Sequence, residues 1–142
     1  GGNALQRLLP YKPFLIKPNQ HELGDLLHIK IHTIEDVLKH GEAILQQGPE
    51  NIMVTLGGHG AVFMNQEVKA VATVPKGKLK NSVGAGDSTV AGFLAVYQRT
   101  GNVLEAFKTA VACGSATAFS EDLCTKTEVE NLLPQIQIQI IS

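Results

Sequence analysis

The chain has 142 residues, 44% hydrophobic and 18% charged, with 12 Lys and Arg against 13 Asp and Glu for a formal net charge of −1. This balance describes one globular domain with a real core, and it excludes a disordered chain and a basic binder of nucleic acid or anionic membrane. No apolar run reaches membrane-spanning length, and no charged leader precedes an apolar segment, so neither an anchor nor a secretion signal is expected.

The chain starts on Gly1-Gly2-Asn3 and passes straight into a helix-like segment over 4–9, an opening that reads as the middle of a domain. Pro10 and Pro13 interrupt it, and Phe14-Leu15-Ile16 reads as a short buried strand. A helix over 19–27 follows Pro18. Thr33 then caps the next helix, with Glu35 and Asp36 in its first turn. Ile34, Val37, Leu38, Ile44 and Leu45 form its apolar face, and Gly48-Pro49 stops it. A strand over 51–56, a tight Gly57-Gly58-His59-Gly60 turn and strands over 61–64 and 68–74 come next. Pro75-Lys76-Gly77-Lys78 is a loop or an edge-strand exit. The helix after Gly86 carries Val90, Phe93, Leu94 and Tyr97 on one face and ends at Gly101. Asn102 to Glu105 has the form of a capping box and opens a helix to about 119; Thr127 to Glu130 opens a last short one. The alternation predicts an α/β fold, a mostly parallel sheet flanked by helices, with ligands at the carboxyl ends of strands. Cys113 and Cys124 have no metal spacing and read as reduced, buried thiols of a cytosolic protein.

The most informative stretch is Gly84-Ala85-Gly86-Asp87. Its glycines aim backbone N–H groups at one point, and the helix dipole adds to their pull on an anion. Asp87 falls in the first helical turn beside that point. A held phosphate and an adjacent base are the parts needed for phosphoryl transfer to a hydroxyl. No Gly-Lys-Ser/Thr follows, so this is not a Walker A loop, and the missing third glycine excludes a dinucleotide fingerprint. The bland alternative is an ordinary glycine-rich helix start. Asn19 and Glu22, three apart, suit a magnesium hydration shell, but taken alone the preferred reading is a helix cap. Thr55, Gly57 and Gly60 would let a flat or charged ligand approach backbone, or simply form a hairpin turn. The small residues from Cys113 to Ala118 suit an adenine pocket or close packing, and packing is the preferred reading. Lys76, Lys78 and Lys80 read as a solvated edge, and His28 and His32 as surface residues.

In this order the pieces resemble the ribokinase-like sugar kinases, also called PfkB carbohydrate kinases. Residues 81–91 match that family's Gly-Ala-Gly-Asp signature, Asn19 and Glu22 its Asn-x-x-Glu motif, and Thr55, Gly57 and Gly60 its Thr/Ser-x-Gly-x-x-Gly nucleotide turn. Segments 16–23 and 112–118 are similar to the branch that phosphorylates sugar phosphates, which includes 1-phosphofructokinase and tagatose-6-phosphate kinase. The resemblance implies a three-layer ribokinase-like fold, with 1–142 as a single partial domain, the carboxyl-terminal, nucleotide-binding half of a longer kinase. The sugar-binding residues and the dimer-forming lid would lie upstream, so a homodimer belongs to the full length and the chain alone should lack the acceptor site. The implied activity is ATP-dependent phosphoryl transfer, in the cytoplasm, to the hydroxymethyl group of a sugar phosphate of the fructose 1-phosphate or tagatose 6-phosphate type. Asp87 would be the base, and Gly84, Ala85 and Gly86, with the Asp87 amide, the anion hole. Thr55, Gly57, Gly60, Gly84, Gly86 and Gly114 would hold ATP, and Asn19 and Glu22 would steer Mg²⁺ through water. The alternatives are a non-catalytic nucleotide-binding or regulatory module, a kinase of an unphosphorylated sugar or nucleoside, and a structural domain whose glycine loops are turns.

Overall fold

The computed structural model describes residues 2–80 and 83–141; Gly1, Asn81, Ser82 and Ser142 lie outside it, so the first two residues of the matched 81–91 signature do too. Helix α1 (Gly2–Leu8) runs into a short 3₁₀ turn at Pro10, and strand β1 (Leu15–Ile16) follows. Next come helices α2 (Gln20–Leu27) and α3 (Ile34–Leu45), then strands β2 (Asn51–Thr55), β3 (Ala61–Asn65) and β4 (Lys69–Ala72). Helices α4 (Ala85–Thr100), α5 (Val103–Ala118) and α6 (Lys126–Leu132) precede strand β5 (Ile138–Ile141).

Side chains write most of the helix starts. Asn19, Thr33 and Thr125 each accept the N–H of the third helical residue, and Glu22, Asp36 and Glu128 return the bond to the cap's own N–H. Each reciprocal pair satisfies donors that the helix itself leaves without acceptors. The start of α6 therefore lies at Thr125, ahead of the expected Thr127. At α5 the expected box is one-sided. Asn102 Oδ1 accepts from Leu104 and Glu105 at 3.0 and 3.1 Å, but the Asn102 N–H donates to Thr100 Oγ1 at 3.1 Å.

The chain divides into two compact units, Gly1–Val71 with Gln139–Ser142, and Ala72–Ile138. The first holds the five-stranded sheet, ordered β1-β2-β3-β4-β5. The α2–α3 crossover makes β1 and β2 parallel, whereas the short glycine turn after β2 returns the chain antiparallel as β3, so the sheet is mixed. Buried Asn51 pins the register: its Nδ2 donates to Phe14 O at 2.9 Å, and its Oδ1 accepts from Asn65 at 3.2 Å. Strand β5 is additional to the expected elements. Leu23, Val37, Ile44, Ile52, Val54, Val62 and Met64 are buried together. A Cβ on Gly41 of α3 would lie 2.5 Å from Met64 Sδ, so the glycine is a notch that seats the thioether.

In the second unit α4 packs along α5. The buried face of α4 is Thr89, Gly92, Phe93 and Val96, at helical spacing. It is rotated from the expected face, and Leu94 is 43% exposed. A glycine lies on that buried face: a Cβ on Gly92 would lie 2.7 Å from Cys113 Sγ, so the absence of a side chain there admits α5. Cys113 and Cys124 are free but half-buried rather than buried. Burial, then the neighbouring Cys124, pushes the Cys113 thiol up to about 11. Among the described residues no helix is long and apolar enough to cross a membrane.

Asn102→Ala should destabilise the protein by about 1 kcal/mol through loss of the cap, whereas Leu94→Lys should change stability by less than about 0.5 kcal/mol; urea midpoints measure both. The Ser120 hydroxyl holds Glu128, and the His32 N–H holds Asp36, below the ordinary carboxylate range. Carboxylates lowered by folding contribute stability that is present above their unfolded pKa and lost as the pH falls through the folded value. Urea midpoints should therefore decline below the ordinary Glu value of 4.5, and the Glu128→Gln variant should show a shallower decline.

Candidate active site

The start of α4 differs from the capped helices. Its N-cap, Gly84, has φ +82° and supplies no side-chain cap bond. A side chain there would be strained, because the left-handed region favours glycine. The first helical bond runs from the Ser88 N–H to Gly84 O at 2.9 Å. The amides of Ala85, Gly86 and Asp87 precede the helical ladder and have no acceptor within the helix. Gly84, Ala85 and Gly86 are half-buried, while Asp87 is exposed. The Asp87 carboxylate makes no hydrogen bond among the described residues. This end of α4 can thus hold an anion on amides and dipole, with an unengaged proton acceptor on the same turn.

Neighbouring residues of the second unit shape that turn. Thr117 on α5 is fully buried and its Oγ1 donates to Ser88 Oγ at 2.8 Å. Thr89 Oγ1 donates to Ala85 O at 2.9 Å. Gly114, expected among the nucleotide contacts, is buried at the crossing, where an added Cβ would collide with Thr89 Oγ1. An added Cβ at Gly84 would meet Leu123 Cδ2 at 3.3 Å. Lys76, Lys78 and Lys80 are exposed.

In the first unit the chain leaving β1 reaches Asn19, which forms a parallel bridge with Thr55 at the end of β2. The carboxyl ends of two parallel strands therefore bring the Asn19–Glu22 pair and the Thr55–Gly60 turn side by side. Asn19 Oδ1 accepts the Glu22 N–H at 2.8 Å, and Glu22 Oε1 accepts the Asn19 N–H at 3.0 Å. The cap engages one oxygen of each side chain and leaves Glu22 Oε2 for a cation. That donor set fits a magnesium ion that keeps most of its waters. It would not hold a metal by direct ligation alone, and no cluster of three or more His, Cys, Asp or Glu occurs among the described residues.

The turn after β2 is closed by the Leu56 N–H on Gly60 O at 2.9 Å and the His59 N–H on Leu56 O at 3.0 Å. Gly57 and Gly60 have φ of +56° and +127°. Nothing lies within 4 Å of a Cβ built on Gly57 or Gly58. The turn joins β2 to β3, and its backbone is open to a ligand at Gly57 and Gly58, whereas Gly60 is buried. Thr117 and Ser88 were not anticipated as site residues, because their contact spans 29 positions and depends on how two helices cross.

The family model described as pfkB family carbohydrate kinase matches residues 2–130. The chain is 47% identical over 137 residues to the 1-phosphofructokinase of Bacillus subtilis (strain 168), covering 96% of this chain and 45% of that protein. It is 36% identical over 131 residues to the D-tagatose-1-phosphate kinase of Bacillus licheniformis, covering 92% of this chain and 43% of that one. The crystal structure of phosphofructokinase-2 from Escherichia coli in complex with substrates and products matches with a TM-score of 0.86 at 29% identity, over 95% of this chain and 45% of that one. The chain spans less than half the length of the relatives it matches. The fold is ribokinase-like. With the glycine-led helix start, the Asn19–Glu22 pair and the open Thr55–Gly60 turn all inside the matched region, the chain belongs to the pfkB family of carbohydrate kinases.

Proposed function

We propose that this chain supplies the nucleotide- and phosphoryl-handling portion of an ATP-dependent cytoplasmic kinase that phosphorylates the hydroxymethyl group of a ketohexose 1-phosphate. The observation that carries the proposal is the helix α4 start, where among the described residues neither the first amides nor the adjacent Asp87 carboxylate has a hydrogen-bond partner. The 47% identity to a 1-phosphofructokinase supports fructose 1-phosphate as acceptor. The tagatose relative is named for the 1-phosphate, which favours tagatose 1-phosphate over tagatose 6-phosphate as the second acceptor. These two sugars share a phosphate at one end and a free hydroxymethyl at the other.

In this reading the amides of Ala85, Gly86 and Asp87 bind the oxygens of the transferring phosphoryl. Asp87 accepts the proton of the attacking hydroxymethyl. Thr55, Gly57 and Gly60 offer backbone and hydroxyl to the nucleotide. Asn19 and Glu22 hold Mg²⁺ through water, and that ion, when bound, neutralises phosphate charge. A positioned base contributes about 10²–10⁴-fold. The transition state is loose, so the remaining acceleration comes from positioning and preorganised charge. A purely nucleotide-binding module would gain nothing from a free carboxylate on the turn that holds the phosphate.

The tests use this chain within a kinase of its relatives' full length. Asp87→Asn should lower kcat by about 10²–10⁴-fold while ATP affinity, measured by calorimetry, stays within about threefold. Turnover close to wild type would remove Asp87 as the base. Gly86→Val places a side chain over the amides and should weaken ATP binding by at least about tenfold. Unchanged ATP binding would leave the loop as a helix start and nothing more.

A further inference from the structure

The amides that precede the α4 ladder are useful only if the first turn stays in one place, and that turn lacks the side-chain cap found at α2, α3, α5 and α6. A different device holds it. Thr117 of α5 is completely buried, and its hydroxyl is used twice: it donates to Ser88 Oγ at 2.8 Å and accepts the Cys124 N–H at 3.1 Å. Ser88 is the residue after Asp87. On the same face of α5, one turn earlier, Gly114 gives Thr89 the space to turn its hydroxyl onto Ala85 O at 2.9 Å. Leu123, next to Cys124, lies against Gly84. The chain segment after α5 is thereby tied to the start of α4 through one buried hydroxyl.

We infer that Thr117 is a positioning residue: through Ser88 it fixes the first turn of α4, and with it the Asp87 carboxylate and the amides beside it. The inference rests on the proposed function for its effect on turnover, and on geometry alone for its effect on the turn. Hydrogen bonds in series polarise one another, so the Cys124–Thr117–Ser88 chain is stiffer than separate bonds would be. Misplacement by about 1 Å at a reacting centre costs on the order of 10²-fold. A lost hydroxyl at Thr117 therefore acts on kcat, whereas Thr55, Gly57 and Gly60, assigned to the nucleotide, lie outside the chain of bonds.

The experiment compares Thr117→Val, Thr117→Ser and Ser88→Ala in the kinase, reading steady-state kinetics and amide hydrogen exchange. Thr117→Val should speed exchange over 85–88 by about tenfold and lower kcat on the order of 10²-fold, a loss larger than any accompanying rise in KM for ATP. Thr117→Ser keeps the hydroxyl and should restore both. Ser88→Ala removes the acceptor at a half-buried position and should reproduce both changes, with the double variant no worse than either single one. Unchanged exchange over 85–88 in both Thr117→Val and Ser88→Ala overturns the inference. So does faster exchange spread evenly along α4 and α5, or faster exchange with unaltered kcat. Should the wild-type kinase phosphorylate no sugar phosphate while exchange over 85–88 responds as expected, the functional reading fails and the tether to the turn stands.

Discussion

The constraint on which the rest depends is that the first amides of α4 find no acceptor among the described residues. A helix start without side-chain partners is normally satisfied by water or by a ligand. Here Gly84 cannot cap, since it has no side chain, and its φ of +82° disfavours replacement by a residue that could. A side-chain cap contributes about 1 kcal/mol. Helix α4 forgoes that contribution and is held instead along its length, by Phe93 and Val96 in the core and by the small residues that admit α5.

The Asn19–Glu22 pair shows that a structural and a functional reading of two residues need not compete. The reciprocal cap is present, with bonds of 2.8 and 3.0 Å. It uses one oxygen of each side chain and in doing so fixes the other carboxylate oxygen of Glu22 in space. The bridge from Asn19 to Thr55 then sets the cap beside the strand end that leads into the glycine turn. Capping orients the donor that a hydrated cation would use.

The local grammar of the chain was legible in its residues. Thr33 and Asn102 cap as their side chains require, Gly101 ends α4 in the left-handed region, and the glycine turn follows β2. What escaped depends on partners far along the chain. The apolar pattern places Leu94 on the buried face of α4 because glycine counts as nothing in it, yet Gly92 lies on that face and admits α5. Strand β5 has a signal of its own in the sequence, since Ile136, Ile138 and Ile140 alternate with glutamines, the period of a strand, just after Pro134. Within the candidate site, Asp87 and the glycines before it could be read from spacing, while Gly114 and Thr117 acquire their roles only when α5 is laid on α4.

The seat of Met64 in the notch at Gly41 has a chemical corollary. The sulfur is fully enclosed, so peroxide reaches it only when the surrounding sheet and helix part. A sulfoxide is larger and polar and would not fit back into the notch. Each opening under oxidising conditions would thus be recorded irreversibly in the absence of a reductase, and the sulfoxide content of an ageing sample would act as a clock for excursions of that core out of its native packing.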